Sequence, residues 1–318
     1  MSLTIQPLHP TFAAEIRGVD FSRPLTEEVF QEIGDAISKY GVLVFRKTGL
    51  DDERHVAFAS RFGELECRKD TGAPSRMSRP ELTDQGNIDS NGNVISASDP
   101  RAQISKGNML FHVDSSFNSR RASYSILLAH EIPPSGGGGN TDFVDTRAAW
   151  DELPEYWKQE LMKKDYVVGH SFWHSRKKAC PEFFAKLEPE KHPMSKHRVA
   201  QLHRASGRMS LFVPSHCHHI EGLKTEEGRE KLEFLYRHAT QDKFVVSVPW
   251  QEVGDLVMWD NTCTLHRGTP LAGLHKRDVR RATVLDGSEE AWGVNGKVEK
   301  DFAFGPEVMA DVFRSLSG

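Results

Sequence analysis

Val29, Ile33, Ile37 and Tyr40 recur every three or four positions, the period of one helix face. Thr26 ahead of Glu27 and Glu28 supplies an N-cap followed by first-turn acids, and Gly41 supplies a left-handed stop. Directly afterwards Val42–Phe45 is apolar throughout, as a buried strand requires. The spacing predicts further helices over 52–62 and 147–164, and one from Thr225 with Leu232, Leu235, Tyr236 and Ala239 on one face. Elsewhere the rhythm is strand-like, over 109–113, 124–129, 141–144, 210–213, 244–248, 256–259, 264–267 and 281–285. Short strands parted by Gly, Pro and Asn turns, without strand–helix alternation, predict a sandwich or barrel and weigh against a doubly wound parallel sheet. Residues 64–108 are polar and rich in turn pairs such as Asn91-Gly92 and Asp99-Pro100. So long a stretch is either disordered or a functional lid.

Composition narrows the class. A chain of 318 residues with 38% hydrophobic and 27% charged residues is ordinary globular material able to bury a sizeable core. No run approaches the ~18 apolar residues of a membrane span. Lys and Arg number 41 against 45 Asp and Glu, so no basic surplus points to nucleic acid or anionic lipid. Cys67, Cys180, Cys217 and Cys263 form no CxxC pair, which weighs against a zinc ribbon, a thioredoxin-type motif or a disulfide framework. The N-terminal stretch has neither a basic n-region nor a long apolar h-region, so the expected compartment is the cytoplasm. Fifteen histidines are many, and their placement raises the question of a metal.

Phe111-His112-Val113-Asp114 sets an imidazole and a carboxylate two apart, on one face if the segment is a strand. His266 follows Asp114 at a distance of 152 residues. Two neutral nitrogens and one carboxylate on one side of an ion leave three positions open, the facial triad of non-haem Fe(II) oxygenases. An HxD pair alone is more often structural. The second half sharpens it: Arg277 and Arg281 lie 11 and 15 residues past His266 and share a face if both sit on one strand. A buried guanidinium needs an anion, and a bidentate carboxylate clamp is the natural one. Arg280 must then face the other way, as a surface residue.

The stretches LHPTFAAEIRGVD, GVLVFR, FASRFGELE, FHVDSSF, PPSGGGGNTDFVDTRAAWDELP, LEFLYRHATQDKFV, GDLVMWDNTCTLHRGTP and RRATVLD together resemble the taurine/2,4-dichlorophenoxyacetate dioxygenase family, over about 8–286. Members are iron- and 2-oxoglutarate-dependent, and the likeness is greater to the aryloxyacetate branch. The resemblance implies a mainly β fold with flanking helices around a double-stranded β-helix (jelly-roll) core. It implies His112, Asp114 and His266 as iron ligands, and Thr141 and Arg277 as the groups binding 2-oxoglutarate, with Trp259 near the iron. It implies Arg281 for the anionic head of the primary substrate, with His203 helping and Lys69 falling near a substrate-loop lysine.

From this follow the expected function and partners. The resemblance implies one dioxygenase domain over 1–318, with an active-site lid at 64–108 and a surface insertion at 162–198. It would use Fe(II), 2-oxoglutarate and O2 to hydroxylate a C–H bond of a small anionic substrate, a carboxylate by preference, releasing succinate and CO2. Ether or C–heteroatom cleavage follows where the carbon bears a heteroatom. The alternatives are a biosynthetic oxygenase performing desaturation or cyclisation, or a non-oxygenase cupin-like metal protein, against which Arg277 and Thr141 weigh. A homo-oligomer, dimer or tetramer, is the family habit; neither nucleic acid nor membrane is expected as a partner.

Other signals carry less. In Ser215-His216-Cys217-His218-His219 neighbours on a strand face opposite ways, so the four possible ligands cannot converge, although His216 or His219 can line a pocket. Gly136–139 lacks the ending of a phosphate loop and reads as a flexible connection before Thr141. His170, His174, His192 and His197 fall in the Lys/Arg-rich stretch 162–198, read as solvated or as an oligomer contact. Asp260 reads as a carboxylate supporting a histidine or turn, and Cys263 as a core thiol.

Overall fold

The computed structural model describes residues 3–68, 75–271 and 275–316. Its largest sheet has seven strands in the order Thr4–Pro7, Ala14–Arg17, Val42–Phe45, Leu256–Asp260, Ala122–Glu131, Asp278–Leu285 and Leu82–Asp84. Facing it is a three-stranded antiparallel sheet in which Thr141–Asp145 lies between Val245–Val248 and Thr264–Gly268. Together they make the jelly-roll core. Strand alternation divides the side chains of the large sheet between two compartments. Leu256 and Met258 pack outward with Ile126, Leu128, Ala282 and Val284 against helices Glu27–Tyr40 and Asp52–Ser60. Val257 and Trp259 pack inward with Leu127, Ala129 and Val279 onto Phe143 and Val248 of the small sheet. The same parity turns Ser125, Arg281 and Thr283 into the space between the sheets.

Local signals account for the first helix. Thr26 accepts from the Val29 amide, Ile33 and Ile37 are buried, and Gly41 closes the helix at φ 69°. A Cβ there would stand 3.1 Å from Arg147 and 3.2 Å from Cys263, so both conformation and space require glycine.

Four expectations are corrected. The helix over 147–164 is two, Thr146–Asp151 and Glu155–Lys164, because Pro154 has no amide hydrogen to carry the ladder through. Residues 109–113 are no strand: a 3-10 turn occupies Lys106–Met109, and His112 forms a lone antiparallel bridge with His266. Arg277 stands one residue before the strand Asp278–Leu285, whose register shifts between Asp278 and Val279, so simple alternation does not join it to Arg281. The stretch 162–198 is not a solvated insertion. Phe172, Trp173, Phe184 and Leu187 share a core with Val308 and Val312 of the C-terminal helix, and His170 and His197 are fully buried. The stretch 64–108 holds the strand Leu82–Asp84 and the helix Pro100–Ser105. It is tied down by Arg76, which pairs with Asp84 and Asp278 at 3.0 Å each. Lys69 lies outside the described residues.

Candidate active site

The bridge between His112 and His266 exchanges two backbone hydrogen bonds of 2.9 Å and sets the two imidazole centroids 4.2 Å apart. Asp114, two residues on, is thereby brought to the same end of the small sheet, with Oδ2 3.6 Å from His266 Nε2. One possible ligand atom from each of the three residues lies within 4.8 Å of the others, and all three side chains are buried. His112 Nδ1 lies 2.8 Å from the Leu110 carbonyl. A carbonyl only accepts, so Nδ1 carries the proton and the Nε2 lone pair is left free.

Asp114 is held on every side. Ser125 Oγ donates to Oδ2 at 2.7 Å, and Arg281 Nη1 pairs with Oδ1. Its own amide donates to Asn261 Oδ1 at 3.2 Å, while Asn261 Nδ2 donates to Ser125 Oγ at 3.0 Å. Trp259 Nε1 donates to the same Asn261 oxygen at 3.1 Å, and its indole packs 4.6 Å from the His266 ring.

The electrostatics suit a divalent cation. Burial raises the Asp114 carboxyl, but Arg281 and the two imidazoles outweigh it and hold the group at about 2. Burial lowers His266 to about 4, and burial with the neighbouring His266 takes His112 well below its usual range. At neutral pH the site offers two neutral imidazoles and one carboxylate, and His266 Nδ1 is buried without a hydrogen-bond partner in the described structure. This donor set fits ferrous iron, with an open side for other ligands.

A second polar group starts on the neighbouring strand, where Thr141 pairs with Gly268, two residues past His266. Thr141, opening the strand Thr141–Asp145, accepts from Trp250 Nε1 at 3.3 Å. The Arg277 guanidinium stands 5.8 Å over the Trp250 ring and donates to the Gln85 carbonyl at 3.0 Å. Burial alone lowers Arg277 to about 10, and no carboxylate pairs with it among the described residues. Gly139 makes room: a Cβ there would stand 2.6 Å from Leu271 and 3.7 Å from Arg277.

Other predicted residues fall elsewhere. His203 is buried, but its ring nitrogens are engaged by Ser206 Oγ at 2.6 Å and Asp260 Oδ2 at 3.0 Å. Asp260 also accepts from the Thr262 amide and hydroxyl, so the His203, Asp260 and Cys263 cluster has its hydrogen bonds within the chain. Arg280 faces outward to Asp52 at 2.6 Å. Of the histidine run, His216 lies beside the triad, with its ring 5.8 Å from His112 and 5.1 Å from Phe117. Sequence reasoning missed Ser125, Asn261 and Trp250. Ser125 was detectable by strand parity; the other two are brought in by loops whose placement no local pattern encodes.

Comparison with known proteins gives the family. The chain is 39% identical over 287 residues to an alpha-ketoglutarate-dependent 2,4-dichlorophenoxyacetate dioxygenase of Burkholderia sp. (strain RASC), covering 90% of this chain and 95% of that protein. It is 31% identical over 281 residues to an (S)-phenoxypropionate/alpha-ketoglutarate-dioxygenase of Sphingobium herbicidovorans, covering 86% and 91%. The crystal structure of AAD-2 in complex with Mn(II) and N-oxalylglycine is similar at a TM-score of 0.80 and 35% identity, covering 90% of this chain and 98% of that one. Residues 4–283 match the description "Taurine catabolism dioxygenase TauD, TfdA family". The chain therefore belongs to the TauD, TfdA family and is an iron(II)- and 2-oxoglutarate-dependent dioxygenase.

Proposed function

We propose that His112, Asp114 and His266 hold the iron, that Thr141 and Arg277 receive the far carboxylate of 2-oxoglutarate, and that the primary substrate is a small aryloxyalkanoate. The observation that carries this reading is the pairing of a buried two-imidazole, one-carboxylate trio with a separate guanidinium, Arg277, that has no carboxylate partner among the described residues. A buried cation without a counter-ion is costly, and an incoming dianion relieves that cost. Trp250 links the two halves of the clamp, through its indole N–H to Thr141 and its ring face to Arg277. The names of the relatives support an aryloxy acid as substrate.

When bound, ferrous iron with the keto acid and dioxygen supplies an oxidant that replaces C–H by C–OH, as 2-oxoglutarate becomes succinate and CO2. The chain's own residues do the rest. Ser125, Asn261 and Arg281 keep Asp114 ionised and oriented; Phe117 and His216 wall the space next to His112. We also assign the described parts of 64–108 to the wall of the site: Asn87 accepts from the Arg277 amide at 2.8 Å, and Glu66 accepts from Ser115 and Asn118 at 2.9 Å each. Hydroxylation of the carbon beside an ether oxygen gives a hemiacetal, which collapses to a phenol and an aldehyde acid.

The test is anaerobic loading with Fe(II) and 2-oxoglutarate, then exposure to O2 with phenoxyacetate. The expected products are succinate, CO2, phenol and glyoxylate in equal amounts. Succinate release that phenoxyacetate does not stimulate overturns the substrate class. Release that persists at the wild-type rate in Asp114→Ala overturns the assigned iron ligands.

A further inference from the structure

Strict alternation along the strand Cys217–Ile220 would send neighbouring side chains to opposite faces. Its pairing with the strand Val167–His170 breaks that rule. Cys217 stands opposite His170 and His219 opposite Gly169, so His218 is the extra residue of a β-bulge. Two successive imidazoles are thereby brought together, with His218 Nδ1 3.0 Å from His219 Nδ1. Gly169 makes the place for the second ring, since a Cβ there would stand 2.6 Å from His219 Cε1 and 3.0 Å from its Nδ1. A third imidazole, His174 of the helix Phe172–Ala179, stands edge-on to His218 with ring centroids 4.9 Å apart. The ring nitrogens of His174 make no hydrogen bond among the described residues.

The proton positions follow from the partners. Burial raises the Glu221 carboxyl, but Lys196 and His219 outweigh it and keep it ionised. Glu221 Oε1 therefore accepts from His219 Nε2, at 2.9 Å, and the lone pair of His219 lies on Nδ1. His218 Nδ1–H then donates across the 3.0 Å gap. Moving that proton to His218 Nε2, a change of tautomer without change of charge, leaves two nitrogen lone pairs side by side. Two nitrogens each ~2.0–2.1 Å from one ion, at ~90–110°, stand ~2.8–3.4 Å apart, which is the spacing of this pair. A carboxylate behind an imidazole is also the usual outer partner of a metal-bound histidine. Burial lowers His174 to about 3 and lowers His218 as well, so both offer neutral nitrogens at pH 7.

We propose that His218, His219 and His174 form a second metal site, for Zn(II), independent of the triad. His218 and His219 already stand at ligand spacing, and His174 closes on the ion by turning its ring. Donor chemistry selects the ion: imidazoles suit zinc, whereas Mg(II), Ca(II) and Mn(II) seek oxygens. The surrounding charges, Lys178, Lys196 and Arg229 against Glu190 and Glu221, offer a bare cation no attraction, so the nitrogen bonds carry the affinity. The ion joins the helix bearing Phe172 to the strand that begins one residue after His216, and these two rings lie 6.3 Å apart beside His112.

The experiment is a Zn(II) titration of metal-free protein against a chromophoric chelator, counting ions bound per chain, beside a separate Mn(II) titration. Wild type should take up one Zn(II) at the triad and one here. Asp114→Ala should lose the first and keep the second. His218→Asn should do the reverse, with Mn(II) affinity changed by less than about threefold, well short of the ~10–100-fold that disturbing a metal ligand costs. Glu221→Gln should weaken the second ion by ~10–100-fold, the loss expected for an outer partner, and His174→Asn by at least as much. Gly169→Ala displaces the His219 ring without removing a nitrogen and should weaken it too; it carries the test if His218→Asn does not fold. A second ion held at wild-type affinity in His218→Asn is adventitious and overturns the site. Unchanged affinity in His174→Asn overturns the three-imidazole assignment. A single ion in wild type, lost in Asp114→Ala, overturns the second site and leaves the triad standing. A single ion lost in His218→Asn but kept in Asp114→Ala upholds this site and overturns the triad instead.

Discussion

Asp114 offers two oxygens, and the chain spends other residues on deciding where they point. Arg281 takes one, and Ser125 takes the one facing His266. Asn261 joins the Asp114 amide, the Ser125 hydroxyl and the Trp259 indole in one unit. It touches no candidate ligand atom of the iron, so it acts through the carboxylate. Residues that orient a metal ligand typically change affinity by ~10–100-fold. Asn261→Ala should therefore weaken Mn(II) binding by about that factor in a chelator competition, with the fold retained by circular dichroism; unchanged affinity would remove it from the network. Arg277→Gln should act on a different ligand. Losing one partner of a buried charged pair costs ~2–5 kcal/mol, so 2-oxoglutarate affinity should fall at least ~30-fold. Mn(II) affinity measured without the keto acid should stay the same, and a parallel loss of both would mean that Arg277 supports the metal instead.

What could be read at the level of elements depended on whether the signal was local. The helix Glu27–Tyr40 carries its own start in Thr26 and its own stop in Gly41, and both act where pattern put them. Gly41→Ala should cost ~1–3 kcal/mol, since it sets a Cβ at positive φ and within 3.2 Å of Cys263 and Thr264, and urea unfolding reads that loss. A shift below about half a kcal/mol would mean that the cap relaxes freely. The strand Val42–Phe45 was equally legible, being apolar along its own length. The segment carrying His112 was not. It is extended because His266, far along the chain, bridges to it, and nothing within 109–113 encodes that partner. The trio that the structure gathers, His112, Asp114 and His266, was still legible, because an HxD pair with a distant histidine is a chemical signal and survives a wrong element. The burial of Arg176 was hidden for the opposite reason: among Lys177, Lys178 and its other basic neighbours it looks solvated, and the packing of the helix Phe172–Ala179 against the turn Lys106–Met109 buries it.

At the scale of the whole molecule, the buried histidines set the pH response. Burial lowers His55 to about 4 and His170 to about 3, and burial also takes His216 well below its usual range. An unfolded chain returns each to about 6.5. Between those values the unfolded state holds protons that the folded state refuses, so stability must fall as pH drops through 6.5. Each such residue contributes up to ~1.4 kcal/mol per pH unit in that window. Burial raises the Glu66 carboxyl, which acts with the opposite sign above its unfolded value, but it is one group against several. Metal-free protein unfolded by urea should thus be less stable at pH 5.5 than at pH 7.5, by more than ~2 kcal/mol for His55 and His170 together with their neighbours. Bound metal steepens this dependence, because it requires neutral imidazoles and links His266 on the small sheet to an Asp114 fastened to the large one. The stabilisation by Mn(II), about 2.7 kcal/mol at a hundredfold excess over Kd, should be present at pH 7.5 and absent in Asp114→Ala. Equal metal-free stability at the two pH values would mean that these rings meet solvent, and the buried site built on their neutrality would fail with them.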